Sequence, residues 1–221
     1  MVTGYYNNRH EAGELLANEL FDKYRYEDMA VVALNDGGVE VGEAISNRLH
    51  AILTMVVAET ITLPGDPLEI GSVAQGGNFV YNNQLAQVEI DEYEGEFHNY
   101  LEDEKRNANA KINRLMGDGG AFDRDLLIDR AIILVADGLE NGSLIGAAMD
   151  YLKPVRTKRI IVALPIATVP VVDFVHLKAD EVHILDVKAD YMGTDHYYED
   201  NNMPSHEEII NKLNQNILNW R

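Results

Sequence analysis

The stretch AIILVADGLENGSLIGAAMDYL, Ala131 to Leu152, most constrains the fold, because it runs from an apolar segment through a glycine-punctuated acidic turn directly into a helical pattern. Ala131 to Ala136 form an unbroken apolar run suited to a strand covered on both faces, and Ala147, Ala148, Tyr151 and Leu152 recur at helical spacing. Between them stand Asp137, Gly138, Leu139, Glu140, Asn141, Gly142 and Ser143. Glycines at 138 and 142 give the backbone freedom to turn successive N–H groups toward an anion at a helix N-terminus, where unpaired donors and the dipole favour negative charge. Asp137, leading that turn, is placed to take ribose hydroxyls or a metal ion.

The rest of the chain repeats the strand–helix alternation. Residues 9 to 25 put Ala12, Leu15, Leu16, Leu20 and Tyr24 on one helical face, and Met29 to Leu34 read as a strand. A glycine turn follows, then a helix over Val39 to Leu49 and a strand over Ala51 to Ala58. Ile61 to Tyr81, with Pro64-Gly65 and Gly76-Gly77, read as an irregular loop of the length that usually carries function. Residues 90 to 116 form a charged helix whose interrupted apolar stripe (Tyr93, Phe97, Tyr100 or Leu101, Ile112, Leu115) is expected to pack on the core. After a glycine-rich turn at 117 to 120 come strands at 131, 159 to 164 and 181 to 185, helices near 169 to 177 and 205 to 219, and a capping-box pattern of Ser205 with Glu208. Five apolar strands separated by helices predict an α/β fold with a doubly wound parallel sheet, in which ligands bind outside the strand carboxyl ends where the order reverses. The turns at 35 to 38 and 137 to 143 both follow such ends. There is no GxGxxG after the first strand and no GxxxxGK[ST] anywhere, which speaks against a dinucleotide fingerprint or a Walker loop.

VADGLENGS resembles, in divergent form, the loop by which type I phosphoribosyltransferases hold 5-phosphoribosyl 1-diphosphate. Arg9 to Leu20, Ala33 to Val41 (ALNDGGVEV), Leu63 to Gly77 (LPGDPLEIGSVAQGG) and YMGTDHYYEDNNMPSHEEI resemble one bacterial and archaeal branch of that family, in order along most of the chain. The resemblance implies a single phosphoribosyltransferase-like domain over 1–221, with a Rossmann-like sheet, a hood over about 59–82 and a helical segment over about 90–116. It implies Asp137 for the ribose hydroxyls or a metal, the 138 to 143 amides (Gly138, Leu139, Asn141, Gly142, Ser143) for the 5′-phosphate, and Asp36, Gly37 and Gly38 for the diphosphate. It also implies Mg²⁺ arriving with the diphosphate. Glu140 stands where the 6-oxopurine enzymes carry a catalytic Asp beside the base, so it is a candidate general base; the alternative is a solvated loop acid.

The departures concern charge and hydroxyls. Ala136 replaces the first acid of the loop, while Asn141 and Leu144 replace its threonines. Asp36 and Glu59 stand where the branch has cations. A unit-charge contact at about 5 Å in an effective dielectric near 20 is worth roughly 3 kcal/mol, so such reversals weaken a diphosphate by orders of magnitude unless Mg²⁺ offsets them.

Composition narrows the partners. With 37 acidic against 18 basic residues the formal charge is −19, which works against a role built on neutralising nucleic-acid phosphates or docking on anionic membranes. No cysteine is present, so thiolate nucleophiles, disulfides and iron–sulfur clusters are excluded. The first residues show no basic-then-apolar leader pattern, and no apolar run reaches membrane length, so a cytoplasmic protein is expected. The expected partner is a small-molecule phosphoribosyl donor or a nucleotide, and the family allows a homodimer. Asp186, Asp190, Asp195, His196, Glu199 and Asp200 are spaced for no recognised metal loop; Tyr191, Tyr197 and Tyr198 are candidates to stack on a ligand ring or simply to pack. Ser143 lacks a nucleophile-elbow context and suits capping or phosphate contact. Two functions follow: a Mg²⁺-dependent phosphoribosyltransferase acting on a nitrogenous base, or a non-catalytic nucleotide or phosphometabolite sensor, or partner subunit, on the same fold.

Overall fold

A computed structural model describes residues 5–116 and 124–220; the glycine-rich turn expected at 117 to 120 lies outside them. In chain order the elements are α1 (Arg9–Tyr24), β1 (Met29–Ala33), α2 (Asp36–Leu49), β2 (Ile52–Met55), β3 (Ala58–Thr62), β4 (Glu69–Ala74), β5 (Phe79–Tyr81), α3 (Gln87–Met116), β6 (Ala131–Val135), α4 (Ser143–Leu152), β7 (Arg159–Thr168), α5 (Val169–His176), β8 (Glu181–Lys188) and α6 (His206–Trp220).

The five strands expected from apolar runs form one parallel sheet in the order β2-β1-β6-β7-β8. Every residue of β1 and β6 is buried, because helices cover both faces. Alternation along the strands divides the core: Val31, Ile133 and Ile161 face α1, α2 and α6, whereas Val32, Leu134 and Val162 face α4 and α5. The chain winds outward from β1 to β2 in one direction and from β6 through β7 to β8 in the other. The order therefore reverses between β1 and β6.

The stretch read as an irregular loop is instead ordered. β3, β4 and β5 pair antiparallel into a second, three-stranded sheet, and the chain leaves the main sheet after Met55 to enter it. Mixed polar and Gly-rich composition hid these strands: β3 and β5 are mostly half-exposed, and the buried residues of the covered β4 include Gly71 and Ser72. α3 packs its stripe on this hood rather than on the main core. Leu101, Ala108 and Ile112 are buried against Val57, Ile61, Ile70 and Val73, with a break in helical geometry at Phe97 (φ −110°, ψ 20°). Strand β7 runs four residues past its expected end, to Thr168, and gives the switch-point loop a backbone to bond.

Candidate functional site

The residues expected as a glycine turn before the helix, Asp36 to Gly38, are instead the first turn of α2, and they meet the loop after β6. Leu34 N–H donates to Val135 C=O (2.9 Å), so β1 and β6 deliver Asn35 and Asp137 side by side, and Asn35 Nδ2 donates to Asp137 Oδ1 at 2.8 Å. Asn35 also caps α2 by accepting from Gly38 N–H at 2.7 Å. Gly37 lies so close to the acid that a Cβ there would stand 2.0 Å from Asp137 Oδ2.

The other oxygen of Asp137 is held by a residue that motif reading passed over. Arg9, the first residue of α1 and only 6% exposed, donates from Nε to Asp137 Oδ2 at 2.7 Å, from Nη2 to Asp195 Oδ1 at 2.6 Å and from Nη1 to Asn201 Oδ1 at 3.0 Å. Its guanidinium lies 4.6 Å from the centre of the Tyr198 ring, and the Tyr198 hydroxyl donates to Asp137 C=O at 2.6 Å. Burial alone lowers the pKa of a guanidinium, but the bonds to Asp137 and Asp195 outweigh it and leave Arg9 more basic than an ordinary arginine. The segment carrying Asp195, Tyr198 and Asn201 reaches Arg9 because Tyr6 bridges to Tyr198 and bonds the Tyr197 carbonyl. A cation in the first turn opposes the helix dipole, and that local misfit was the available signal.

The loop after Asp137 is stitched down from several directions. Leu139 N–H donates to Ile166 C=O and Thr168 N–H to Leu139 C=O, both at 3.2 Å. The Glu140 carbonyl accepts from Gln84 Nε2 (2.6 Å) and Thr168 Oγ1 (2.7 Å). Besides Leu139, two more of the amides expected to face a 5′-phosphate are occupied: Gly142 N–H by Asn83 Oδ1 at 2.6 Å, and Ser143 N–H by Asn141 Oδ1 at 2.9 Å. The Ser143 hydroxyl is buried against that of Ser72, 2.7 Å away. Glycine at 138 and 142 serves close approach rather than unusual backbone angles, correcting the conformational expectation: neither has positive φ, and a Cβ would meet the Tyr191 hydroxyl at 2.7 Å and the Phe174 ring at 2.6 Å respectively.

These residues open onto a cleft of about 250 Å³ whose walls include Asn35, Thr60, Glu69, Gly138 to Asn141, Leu144, Tyr191 and Thr194. Among the described residues its lining contains two carboxylates, Glu69 and Glu140, and no Lys, Arg or His. Partial burial and the neighbouring Glu69 raise Glu140 above the ordinary carboxylate range. Glu69 also accepts a bond from Asn141 Nδ2. A larger hollow of about 480 Å³ lies between α1 and α2, but it shares no residue with the strand-end turns.

The substituted cations separate. Glu59 pairs with Lys111 of α3 at 2.7 Å and is absent from the cleft lining, whereas its neighbour Thr60 lines the cleft. Asp36 faces α6, where His206 Nδ1 lies 3.0 and 3.2 Å from its two oxygens. Of the other residues singled out, Asp186 pairs with Lys188 and Asp195 with Arg9, Tyr197 and Tyr198 are buried packing residues, and Tyr191 alone of the three tyrosines lines the cleft. Glu208 accepts from both Ser205 N–H and Oγ at 2.8 Å, as a capping box does.

The resemblance to phosphoribosyltransferases implies Mg²⁺, and Asp137 is the residue it implicates. Magnesium takes hard oxygens at about 2.0–2.1 Å in an octahedron. Both Asp137 oxygens already accept protein donors, one of them from a guanidinium, so the residues present do not fit a directly ligated Mg²⁺.

No family model matches the chain. It is 24% identical over 212 residues to "Putative phosphoribosyl transferase Rv0571c" of Mycobacterium tuberculosis H37Rv, and equally to "Putative phosphoribosyl transferase MT0597" of strain CDC 1551. The alignment covers 93% of this chain and 45% of each relative, so the chain spans less than half of their length. Among solved structures, TT1426 from Thermus thermophilus shares the fold with a TM-score of 0.69 and 24% identity, over 98% of this chain and 99% of that one. No helix among the described residues is long and apolar enough to cross a membrane.

Proposed function

We propose that this chain, a divergent relative of the phosphoribosyltransferases, binds a ribosyl ligand of low charge in the cleft between β1 and β6 without transferring a phosphoribosyl group. The carrying observation is that the side-chain carbonyls of Asn83 and Asn141 sit on the Gly142 and Ser143 amides, where a 5′-phosphate would need donors. A further feature supports it. The described cleft walls carry Glu69 and Glu140 with no Lys, Arg or His to offset them. A diphosphate ester entering there meets like charge at both, whereas a nucleoside meets hydrogen-bond acceptors for its hydroxyls and base N–H groups.

The transferase reading retains one specific observation. Burial and Glu69 raise the Glu140 pKa beside the cleft, the direction a general base needs. In that reading Mg²⁺ arrives with the diphosphate rather than through Asp137.

Calorimetry of the full chain decides between them, using 5-phosphoribosyl 1-diphosphate with Mg²⁺, nucleoside monophosphates and the corresponding nucleosides, alongside a diphosphate-release assay with a panel of bases. Binding of nucleosides at least as tight as of monophosphates, with no diphosphate release, is the expected outcome. Micromolar donor binding with base-dependent release establishes the transferase instead.

A further inference from the structure

The acid at the switch point is neutralised from within the chain. We infer that Arg9 is the resident cation of this site, taking the place at Asp137 that a divalent metal would otherwise occupy, so that the site works without metal. Three observations carry this. First, Arg9 spends all three nitrogens on fixed partners, Asp137, Asp195 and Asn201, at 2.6 to 3.0 Å. Second, its position is enforced from the opposite side by Tyr198, whose ring stacks on the guanidinium and whose hydroxyl holds the Asp137 carbonyl. Third, Asn35 takes the remaining Asp137 oxygen and Gly37 closes against the carboxylate with no space for even a methyl group. A buried guanidinium cannot leave without stranding the buried Asp137, although Asp195 is mostly exposed, so a metal approaching Asp137 meets a fixed positive charge and an acid whose oxygens are already engaged.

The inference stands apart from the identity of the ligand, because its test uses the metal alone. Mn²⁺, which shares the preference of Mg²⁺ for oxygen ligands, is titrated into the full chain, and free Mn²⁺ is counted by electron paramagnetic resonance. The wild type and Asp137→Asn are expected to give the same isotherm, reporting only scattered surface acids. Arg9→Met is expected to gain one site at least about tenfold tighter than any in the wild type, a difference of about 1.4 kcal/mol. That gain should vanish in the Arg9→Met/Asp137→Asn double variant, and Arg9→Lys, which restores a cation, should not show it. A wild-type site that Asp137→Asn removes overturns the inference, as does a folded Arg9→Met with no gain. Should Arg9→Met fail to fold, the wild type against the near-isosteric Asp137→Asn carries the test by itself.

Discussion

Replacing Gly37 by alanine tests how tightly the switch point is built. The added Cβ would lie 2.0 Å from Asp137 Oδ2, 2.4 Å from its Cγ and 2.9 Å from Arg9 Nε. Ordinary carbon contacts lie near 3.5 Å, so the carboxylate must retreat by more than about 1 Å. That displacement exceeds what the 2.7 Å bond from Arg9 tolerates. A charge-assisted hydrogen bond is worth about 1.5–3 kcal/mol, and forcing a side chain into a filled space costs a further 1–3 kcal/mol or so. Against this, Gly to Ala in a helix returns at most about 1 kcal/mol. Gly37→Ala is therefore expected to lose about 1.5–5 kcal/mol, a sizeable part of the roughly 5–15 kcal/mol that stabilises a domain. Urea unfolding followed by far-ultraviolet circular dichroism measures it. Gly95→Ala is the control: it lies in α3 with nothing within 4 Å of its Cβ, and it should gain about 0.5–1 kcal/mol. A Gly37→Ala protein as stable as the wild type, with the control behaving, would refute the account of the Arg9–Asp137 lock.

Three further outcomes are expected. Gly142→Ala should lose about 1–3 kcal/mol through contact with the Phe174 ring, and in a Phe174→Ala background, which removes the Cγ and Cδ1 atoms it meets, the same substitution should cost much less; an equal cost in both backgrounds would make backbone geometry responsible instead. Glu140 has a folded pKa raised by burial and by Glu69, so its stabilising contribution belongs to the protonated form, is full below the unfolded carboxylate range and is lost as pH rises through the folded value. Glu140→Gln should consequently be more stable than the wild type at pH 7, with the difference fading as pH falls through the folded value and gone below about pH 4.3, as thermal unfolding across pH will report. Finally, the double variant Glu69→Gln/Glu140→Gln should bind nucleoside monophosphates at least about tenfold more tightly, whereas Glu59→Gln, whose carboxylate faces Lys111, should leave that affinity unchanged; a calorimetric response to Glu59→Gln would place that acid in the cleft after all.

What could be read in the sequence was what repeats locally. The runs at 29–34 and 131–136 declared β1 and β6 because both faces of each are buried, and the glycine turns behind them declared the switch point. The hood strands were hidden because Glu69 to Ala74 buries glycine and serine among its apolar residues, and Phe79 to Tyr81 is a three-residue edge strand too short to show a period. The partners of the site residues were hidden for a different reason. Arg9 and Asp137 are 128 positions apart, Asn83 and Gly142 are 59 apart, and His206 and Asp36 are 170 apart. No local pattern encodes such pairs. Glu59 shows the hazard of transferring charge by alignment alone, since adjacent residues of β3 point to opposite faces and Thr60, not Glu59, meets the cleft.

The placement of α6 has a consequence for how the chain acquires its shape. Ile209, Leu213 and Ile217 complete the layer that covers β1 and β2, and Asn216 plugs its rim by accepting from Leu53 N–H and donating to Ser46 Oγ, both at 2.7 Å. Leu53 and Asn216 are 163 residues apart, so during vectorial synthesis the first half of the sheet emerges long before its cover. Until residue 217 has left the ribosome, the apolar row of Ile45, Ile52 and Leu53 lacks the helix that closes over it. The first-made part of the sheet is thus the last to be sealed, and the nascent chain carries a sticky face from the emergence of Leu53 to that of Ile217.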